Sequence, residues 1–242
     1  MSKKNNILIT GGSVRIGKEI ALALANNNNN IVIHFHKSSN EAIKLKKRIE
    51  KLGSQCAVIK RDLSKKRRAE GLIKNASKFF GPINCLINNA SVFKNDNINN
   101  FTINSWNNHL NVNLYAPLKF SQDFKKMLPA KSKGHIVNIL DQNVISPGVS
   151  FFSYSLSKTA LYSATKILAK SFAPNICVNA IGPGPTIKNI YQSSKHFNRS
   201  IKKTPLKIGS PPEEIAKTVK FLLESKSITG QFIAVDGGEH LL

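Results

Sequence analysis

Near its N-terminus the chain reads Ile7-Leu8-Ile9-Thr10-Gly11-Gly12-Ser13-Val14-Arg15-Ile16-Gly17. The first three residues form an uninterrupted apolar run, which is typical of a strand buried on both faces of a parallel sheet. The glycines that follow permit a tight turn and let the backbone approach a phosphate at the N-terminus of a helix. The stretch therefore predicts a strand, a phosphate-binding turn and a helix over residues 16–25.

Apolar runs and helical patterns alternate along the rest of the chain. Further strands are predicted at residues 31–35, 57–59, 85–87, 136–140, 177–181 and 232–235, and further helices at 41–52, 65–80, 105–128, 154–171 and 213–223. This order predicts an α/β fold: a single-domain, Rossmann-type, doubly wound parallel sheet of about seven strands with helices on both faces, spanning residues 1–242. Residues 186–204 lack a clear pattern and are a candidate substrate lid.

Composition excludes several classes of protein. Only 41% of the 242 residues are hydrophobic, and no apolar run approaches the roughly 20 residues of a membrane-spanning helix. The N-terminal apolar run is too short for a signal peptide, so we expect a cytoplasmic protein. Cys85 and Cys177 lie in predicted strands and Cys56 directly precedes one, and all three are interpreted as core residues. No Cys/His cluster indicates a metal site.

The formal net charge of +23 permits two interpretations. One is attraction to polyanions, including nucleic acid. The other is a set of solvated helix faces, because the basic residues are spread along helices, as at 44–51 and 65–68, instead of forming one tail. The second interpretation is favoured, and nucleic acid is not expected as a partner.

Three residues combine into a candidate catalytic group. Tyr154 and Lys158 lie one helical turn apart on the same face, and a cation there is expected to lower the pKa of the tyrosine. Asp141 lies thirteen residues before Tyr154, at the end of a predicted strand. A carboxyl group can bond or protonate a ring nitrogen, and desolvation there is expected to raise its pKa toward neutrality.

These motifs together resemble the short-chain dehydrogenase/reductase family over essentially the whole chain. Asp141 stands where most members have serine, and this resembles the pteridine reductase branch. Arg15 stands where the family pattern has glycine, which is again similar to that branch. The resemblance implies that Arg15 is a cation near the pyrophosphate and the pterin ring.

The residues after the second predicted strand indicate which cofactor is bound. NAD enzymes usually place an acidic residue there, whereas this chain has His36, Lys37 and Ser38. Two potential cations and a hydroxyl suit a 2′-phosphate, and the run is similar to the NADPH-binding segment of pteridine reductases. NADPH is therefore the predicted cofactor.

The resemblance implies further contacts. For the cofactor they are Gly11, Ser13, Arg15, Ile16, Gly17, Asp62, Leu63, Asn89, Ala90, Tyr154, Lys158, Pro183, Gly184 and Thr186. For the substrate they are Arg15, Ser91, Phe93, Asp141 and Tyr154. Asn113 is implied to support a water relay to the lysine, and Phe93 to stack on a pterin ring. His109 and His135 have no evident partner and are interpreted as structural.

The leading hypothesis is an NADPH-dependent reductase of a reduced pterin, such as dihydromonapterin, dihydrobiopterin or dihydrofolate, with hydride added at C6 and a proton at N5. The chain is shorter than protozoal pteridine reductases, which favours the bacterial dihydromonapterin reductase type. The resemblance also implies a homotetramer. The alternatives are a carbonyl reductase of the same fold, such as a 3-oxoacyl-thioester reductase, and a non-catalytic nucleic-acid-binding protein.

Overall fold

A computed structural model describes residues 4–188 and 193–242. Its strands form one parallel sheet in the order β3-β2-β1-β4-β5-β6-β7. They are β1 (Asn5–Ile9), β2 (Asn29–Phe35), β3 (Gln55–Lys60), β4 (Cys85–Asn88), β5 (Gly134–Ile139), β6 (Ile176–Pro183) and β7 (Phe232–Val235). The strand order reverses between β1 and β4, and in such sheets ligands bind at the carboxyl ends of the strands beside that reversal.

Helices cover both faces of the sheet. They are α1 (Arg15–Ala23), α2 (Ser39–Lys51), α3 (Lys66–Ala69), α4 (Leu72–Phe80), α5 (Ile103–Leu110), α6 (Ala116–Met127), α7 (Phe152–Phe172), α8 (Ser194–Lys203) and α9 (Pro212–Glu224). Successive strand residues face opposite sides, so Ile7 and Ile9 join one core with α1, α2 and α9, while Leu8 joins the other with α4, α6 and α7. The predicted doubly wound parallel sheet is confirmed.

Three predicted elements differ from the structure. The helix expected over 65–80 is broken at Gly71, which has a φ of +74° and so separates α3 from α4. The helix expected over 105–128 contains a π-helical turn at Asn111–Tyr115. The candidate lid 186–204 contains α8, whose basic sequence has few apolar residues to reveal its period; residues 189–192 of that prediction lie outside the described residues.

The cysteines largely follow the prediction. Cys56 and Cys85 are buried, whereas Cys177 is partly exposed and so is only a marginal core residue. Within the described ranges, no helix has the length and apolar character needed to cross a membrane. The same residues contain no cluster of His, Cys, Asp and Glu side chains suited to a metal ion.

Candidate active site

The glycine-rich turn between β1 and α1 is fixed to the segment that follows β4. Thr10 Oγ1 accepts hydrogen bonds from the backbone N–H groups of Asn89 (3.0 Å) and Ala90 (3.1 Å), and the Asn89 amide donates to the carbonyls of Thr10 and Gly11. A Cβ at Gly17 would collide with the Gly11 carbonyl, so only glycine fits there. The turn is therefore held at the reversal of strand order.

This turn suits the pyrophosphate of a dinucleotide. No side chain caps the N-terminus of α1, which begins after Val14, so its first N–H groups have no side-chain acceptor. Such N–H groups and the helix dipole favour an anion. The chemistry of the turn fits the implied contacts of Gly11, Ser13, Ile16 and Gly17 with the cofactor.

His34 supports the turn, a role that the sequence analysis missed. Its Nδ1 accepts from the Gly11 N–H at 3.1 Å, and its Nε2 lies 3.2 Å from the Arg61 carbonyl. Burial lowers the pKa of His34 to about 4, so the ring is neutral, with Nε2–H as the donor to Arg61. His34 adjoins the singled-out run at 36–38, but no spacing signal in the sequence distinguishes it.

Arg15 reaches a different part of the site than expected. Its φ of +54° lies in the left-handed region that favours glycine, which explains why the family pattern has glycine at this place. Its guanidinium donates to the carbonyls of Ile187 (2.8 Å) and Lys188 (3.2 Å), just beyond the segment implied to hold nicotinamide. Its contact with pyrophosphate and pterin stays a prediction.

The residues predicted to bind the 2′-phosphate lie together at the end of β2. His36 Nε2 is 3.9 Å from Asp62 Oδ2, and Lys37 is exposed. The Ser64 hydroxyl donates to Asp62 at 2.6 Å, and this bond holds the pKa of Asp62 below its usual value. Asp62 is ionised, and its Oδ2 also lies 3.9 Å from Arg68 Nη1. The contact of His36, Lys37 and Ser38 with a 2′-phosphate stays a prediction.

The three candidate catalytic residues also meet in space. The Tyr154 hydroxyl donates to Asp141 Oδ2 at 2.7 Å. Lys158 Nζ donates to the Ile139 carbonyl at 2.7 Å and lies 5.7 Å from the centre of the Tyr154 ring. The structure thus places the three predicted residues next to one another, and their catalytic role stays a prediction.

The electrostatics differ from the expectation in one respect. Burial, followed by the charge of Asp141 and its hydrogen bond, raises the pKa of Tyr154 well above 10. Burial lowers the pKa of Lys158 to about 8, although the charge of Asp141 acts in the opposite direction. The expected net lowering of the tyrosine pKa is therefore wrong for this site, because burial and Asp141 raise it.

Asn113 holds the loop after β4 in place through hydrogen bonds. Its side chain accepts from the Val92 N–H (2.8 Å) and the Ser91 hydroxyl (3.2 Å), and donates to the Val92 carbonyl and to Ser157 Oγ. The amide is thus occupied and does not contact Lys158. Asn113 lies in the π-helical turn, a feature frequent at functional sites. Its part in a water relay stays a prediction.

The remaining predicted contacts flank this centre. The Gly184 N–H donates to Ser210 Oγ at 2.8 Å, and the Thr186 hydroxyl donates to the Gly184 carbonyl, so the segment after β6 is ordered by its own hydrogen bonds. Pro183 ends β6, and Leu63 is buried beside β3. Phe93, which is 42% exposed, lies with Tyr154 along a cavity of about 240 Å³.

A buried polar group beside Tyr154 was missed by the sequence analysis. Asp96 is 5% exposed and accepts from the Ser153 N–H (2.9 Å) and the Ser105 hydroxyl (2.8 Å). His109, interpreted as having no partner, accepts from the Lys94 N–H at 3.2 Å through Nε2 and contacts the Ser105 carbonyl through Nδ1. These bonds agree with the structural interpretation of His109. Ser105 lies one helical turn before it in α5, whereas the contact with Lys94 forms only when the chain folds.

Comparison with known families agrees with this geometry. A sequence profile described as enoyl-(acyl carrier protein) reductase matches residues 13–240. The chain belongs to the short-chain dehydrogenase/reductase family. Membership confirms the predicted enzyme class, an oxidoreductase that uses a nicotinamide cofactor.

Solved structures of family relatives superpose over nearly the whole chain. The FolM alternative dihydrofolate reductase 1 of Brucella suis, in complex with NADP, is 41% identical with a TM-score of 0.95, over 100% of this chain and 97% of that one. The Brucella canis protein of the same name, also with NADP, is 41% identical with a TM-score of 0.92, over 98% and 95%. A blue fluorescent protein from a metagenomic library, in complex with NADPH, is 26% identical with a TM-score of 0.91, over 98% of each chain. The cofactors in these relatives agree with the predicted NADPH.

Proposed function

We propose that the chain is an NADPH-dependent reductase of reduced pterins of the dihydromonapterin, dihydrobiopterin or dihydrofolate type. It acts as one catalytic domain over residues 1–242 in the cytoplasm. The observation that carries the proposal is the 2.7 Å hydrogen bond from Tyr154 to Asp141. A carboxyl group in this place can protonate a ring nitrogen, whereas the serine usual in the family can only orient a carbonyl. The names of the two Brucella relatives support the same substrate class.

The residues divide the chemistry among them. When bound, NADPH supplies the hydride for C6. The Tyr154 hydroxyl passes its proton to Asp141 along the hydrogen bond that joins them, and Asp141 passes that proton to N5. The Tyr154 phenolate left behind takes a proton from solvent, which restores the site. The positive charge of Lys158, which lies 5.7 Å from the centre of the Tyr154 ring, favours this phenolate. Arg15, Ser91 and Phe93 hold the substrate.

A substrate panel tests the proposal. We expect NADPH oxidation with dihydrobiopterin, dihydromonapterin or dihydrofolate, and turnover of acetoacetyl-CoA at least about tenfold slower, since Asp141 replaces the residue that orients a carbonyl. Steady-state kcat/KM for each compound decides between the two reactions. Preference for the thioester would instead establish a carbonyl reductase.

Replacing Lys37 with aspartate is expected to reverse or erase a preference for NADPH over NADH. A charge-assisted contact to the 2′-phosphate contributes about 1.5–3 kcal/mol, or roughly ten- to a hundredfold. The measurement is kcat/KM for both cofactors, with Lys60→Asp on the neighbouring strand end as a control for the charge change alone. Equal kcat/KM for NADPH and NADH in the unsubstituted protein would contradict the proposed role of residues 36–38.

We further propose a homotetramer built through α7 and the helices over residues 105–128. Leu156 and Ile167 leave 42% and 63% of their surface exposed on α7, and such apolar surface is commonly covered by a partner. We expect four times the chain mass by light scattering at micromolar concentration. A monomeric mass under these conditions would contradict the assembly.

A further inference from the structure

The ring of Phe93 already has a flat partner. Its plane lies 9° from that of Phe151, with ring centres 4.3 Å apart, which is a stacked arrangement. The Tyr154 ring meets Phe93 edge-on, with centres 4.7 Å apart. A separation of 4.3 Å leaves no room for a third ring between Phe93 and Phe151. The face of Phe93 that Phe151 covers is therefore closed to a substrate as long as this stack persists.

The backbone of Phe151 is in an unfavourable conformation. Its φ of +57° and ψ of +43° are left-handed, a region that bulky residues rarely adopt. Such conformations persist where surrounding structure over-determines them, and they cluster at ligand-binding sites. Phe151 is half-buried and its N–H donates to Asn95 Oδ1 at 3.3 Å, while the six residues before it, 145–150, are all exposed and so pack little against the rest of the fold. Phe151 also lines the cavity of about 240 Å³ that Phe93 and Tyr154 share.

The chain beyond Phe151 is anchored separately. Asp96 accepts the N–H groups of Phe152 through its carbonyl and of Ser153 through its carboxylate. Burial acts to raise the pKa of Asp96, but hydrogen bonds from Ser153 and Ser105 outweigh it and keep the pKa below its usual value, so the anchor is ionised. The ring of Phe151 can thus leave Phe93 without displacing Tyr154.

We propose that Phe151 is a specificity-determining residue that occupies the stacking position on Phe93 until a flat heteroaromatic ring displaces it. A planar substrate regains the stacking that it breaks, because an offset aromatic pair is favourable whichever ring supplies it. A substrate without such a ring, for instance an acyl thioester, breaks the stack and gains no replacement. Phe151 therefore selects for planar heterocycles. The inference deepens the proposed function and rests on its substrate class.

The experiment measures binding separately from turnover. Biopterin, a planar ring, is titrated calorimetrically into the NADP⁺ complexes of the parent protein, Phe151→Ala and Phe151→Gly. Removal of the competing ring is expected to tighten biopterin binding by about two- to tenfold, the range of one aromatic pair. Glycine also relieves the left-handed backbone, so equal effects of the two variants assign the change to the ring. The KM for NADPH should stay unchanged, and Ile145→Ala in the same exposed segment should not alter biopterin affinity.

A double-mutant cycle with Phe93 gives the decisive outcome. If Phe151 competes for Phe93, its removal improves affinity less in a Phe93→Ala background than in the parent. Weaker biopterin binding in Phe151→Ala would overturn the proposal and make Phe151 a second wall of the site; equal gains in both backgrounds would overturn it as well. Failure of the proposed function appears differently, as biopterin binding without any dihydropterin reduction by the parent.

Discussion

Replacing Asp141 with serine is expected to lower kcat/KM for dihydropterin reduction by a factor of about 10²–10⁴, while NADPH binding stays intact. The substitution restores the residue usual in the family but removes the carboxyl group that accepts the Tyr154 hydroxyl. A serine side chain is shorter than that of aspartate and its hydroxyl is far less acidic than a carboxyl group, so it is a poor proton donor to N5. The measurements are kcat/KM for a dihydropterin and the dissociation constant of NADPH.

Two further variants separate proton transfer from local structure. Asp141→Asn keeps the shape and an acceptor for Tyr154 but has no proton to deliver, so it should lose as much activity as the serine variant. The Asn143 side chain donates to Asp141 Oδ1, the oxygen that Tyr154 does not contact, at 2.8 Å. Asn143→Ala removes this bond but leaves the carboxyl group, so it should change kcat/KM by less than about tenfold. A serine variant as active as the parent would refute both the proton-donor role and the proposed substrate class.

The geometry around Asp141 shows what sequence spacing can and cannot predict. Tyr154 and Lys158 are one turn apart on a helix, so helical periodicity predicts that they share a face. Asp141 lies two residues beyond β5, and its place beside Tyr154 was predicted from the family resemblance. Their pKa values depend on burial, which no short motif encodes. The pKa of Tyr154 is raised, and not lowered as expected, because only 7% of the residue is exposed to solvent.

The fold was predictable wherever the apolar pattern had a clear period. Strands buried on both faces appear as continuous apolar runs, and all seven were placed within a few residues of their bounds. The break at Gly71 was missed because an isolated glycine is tolerated in many helices. The helix α8 was missed because its sequence offers only Phe197 and Ile201 as an apolar stripe.

The undetected parts of the site are long-range polar contacts. His34 bonds to Gly11 across 23 residues, and Asp96 bonds to Ser153 across 57. Neither pair follows a helical or strand period, so only the folded chain brings them together. The same holds for the stack of Phe93 on Phe151. The sequence analysis expected Phe93 to stack on a pterin and did not foresee that another side chain covers one face of its ring.

Lys158 should show opposite effects on activity and stability. Burial lowers its pKa from 10.5 to about 8, so folding disfavours its charged form. Between these two values the unfolded chain binds more protons, and stability rises with pH; below about 8 both states are protonated and the full cost is present. The difference corresponds to on the order of 3 kcal/mol. Activity has the opposite dependence, because neutral Lys158 cannot favour the phenolate, so kcat/KM should fall as the pH rises through about 8.

Lys158→Met is therefore expected to lower kcat/KM by about 10²-fold or more and yet to stabilise the cofactor-free protein near pH 7. Loss of the bond to the Ile139 carbonyl offsets part of the gain, which leaves about 1–2 kcal/mol, or roughly 2–8 °C in Tm. Lys158→Arg keeps the buried charge and should not stabilise. Thermal unfolding at pH 7 and pH 9.5 tests the sign, since the advantage of methionine should shrink at the higher pH. A methionine variant less stable than the parent at pH 7 would show that the ammonium is held more favourably than its burial implies, and the alkaline loss of activity would then need another titrating group.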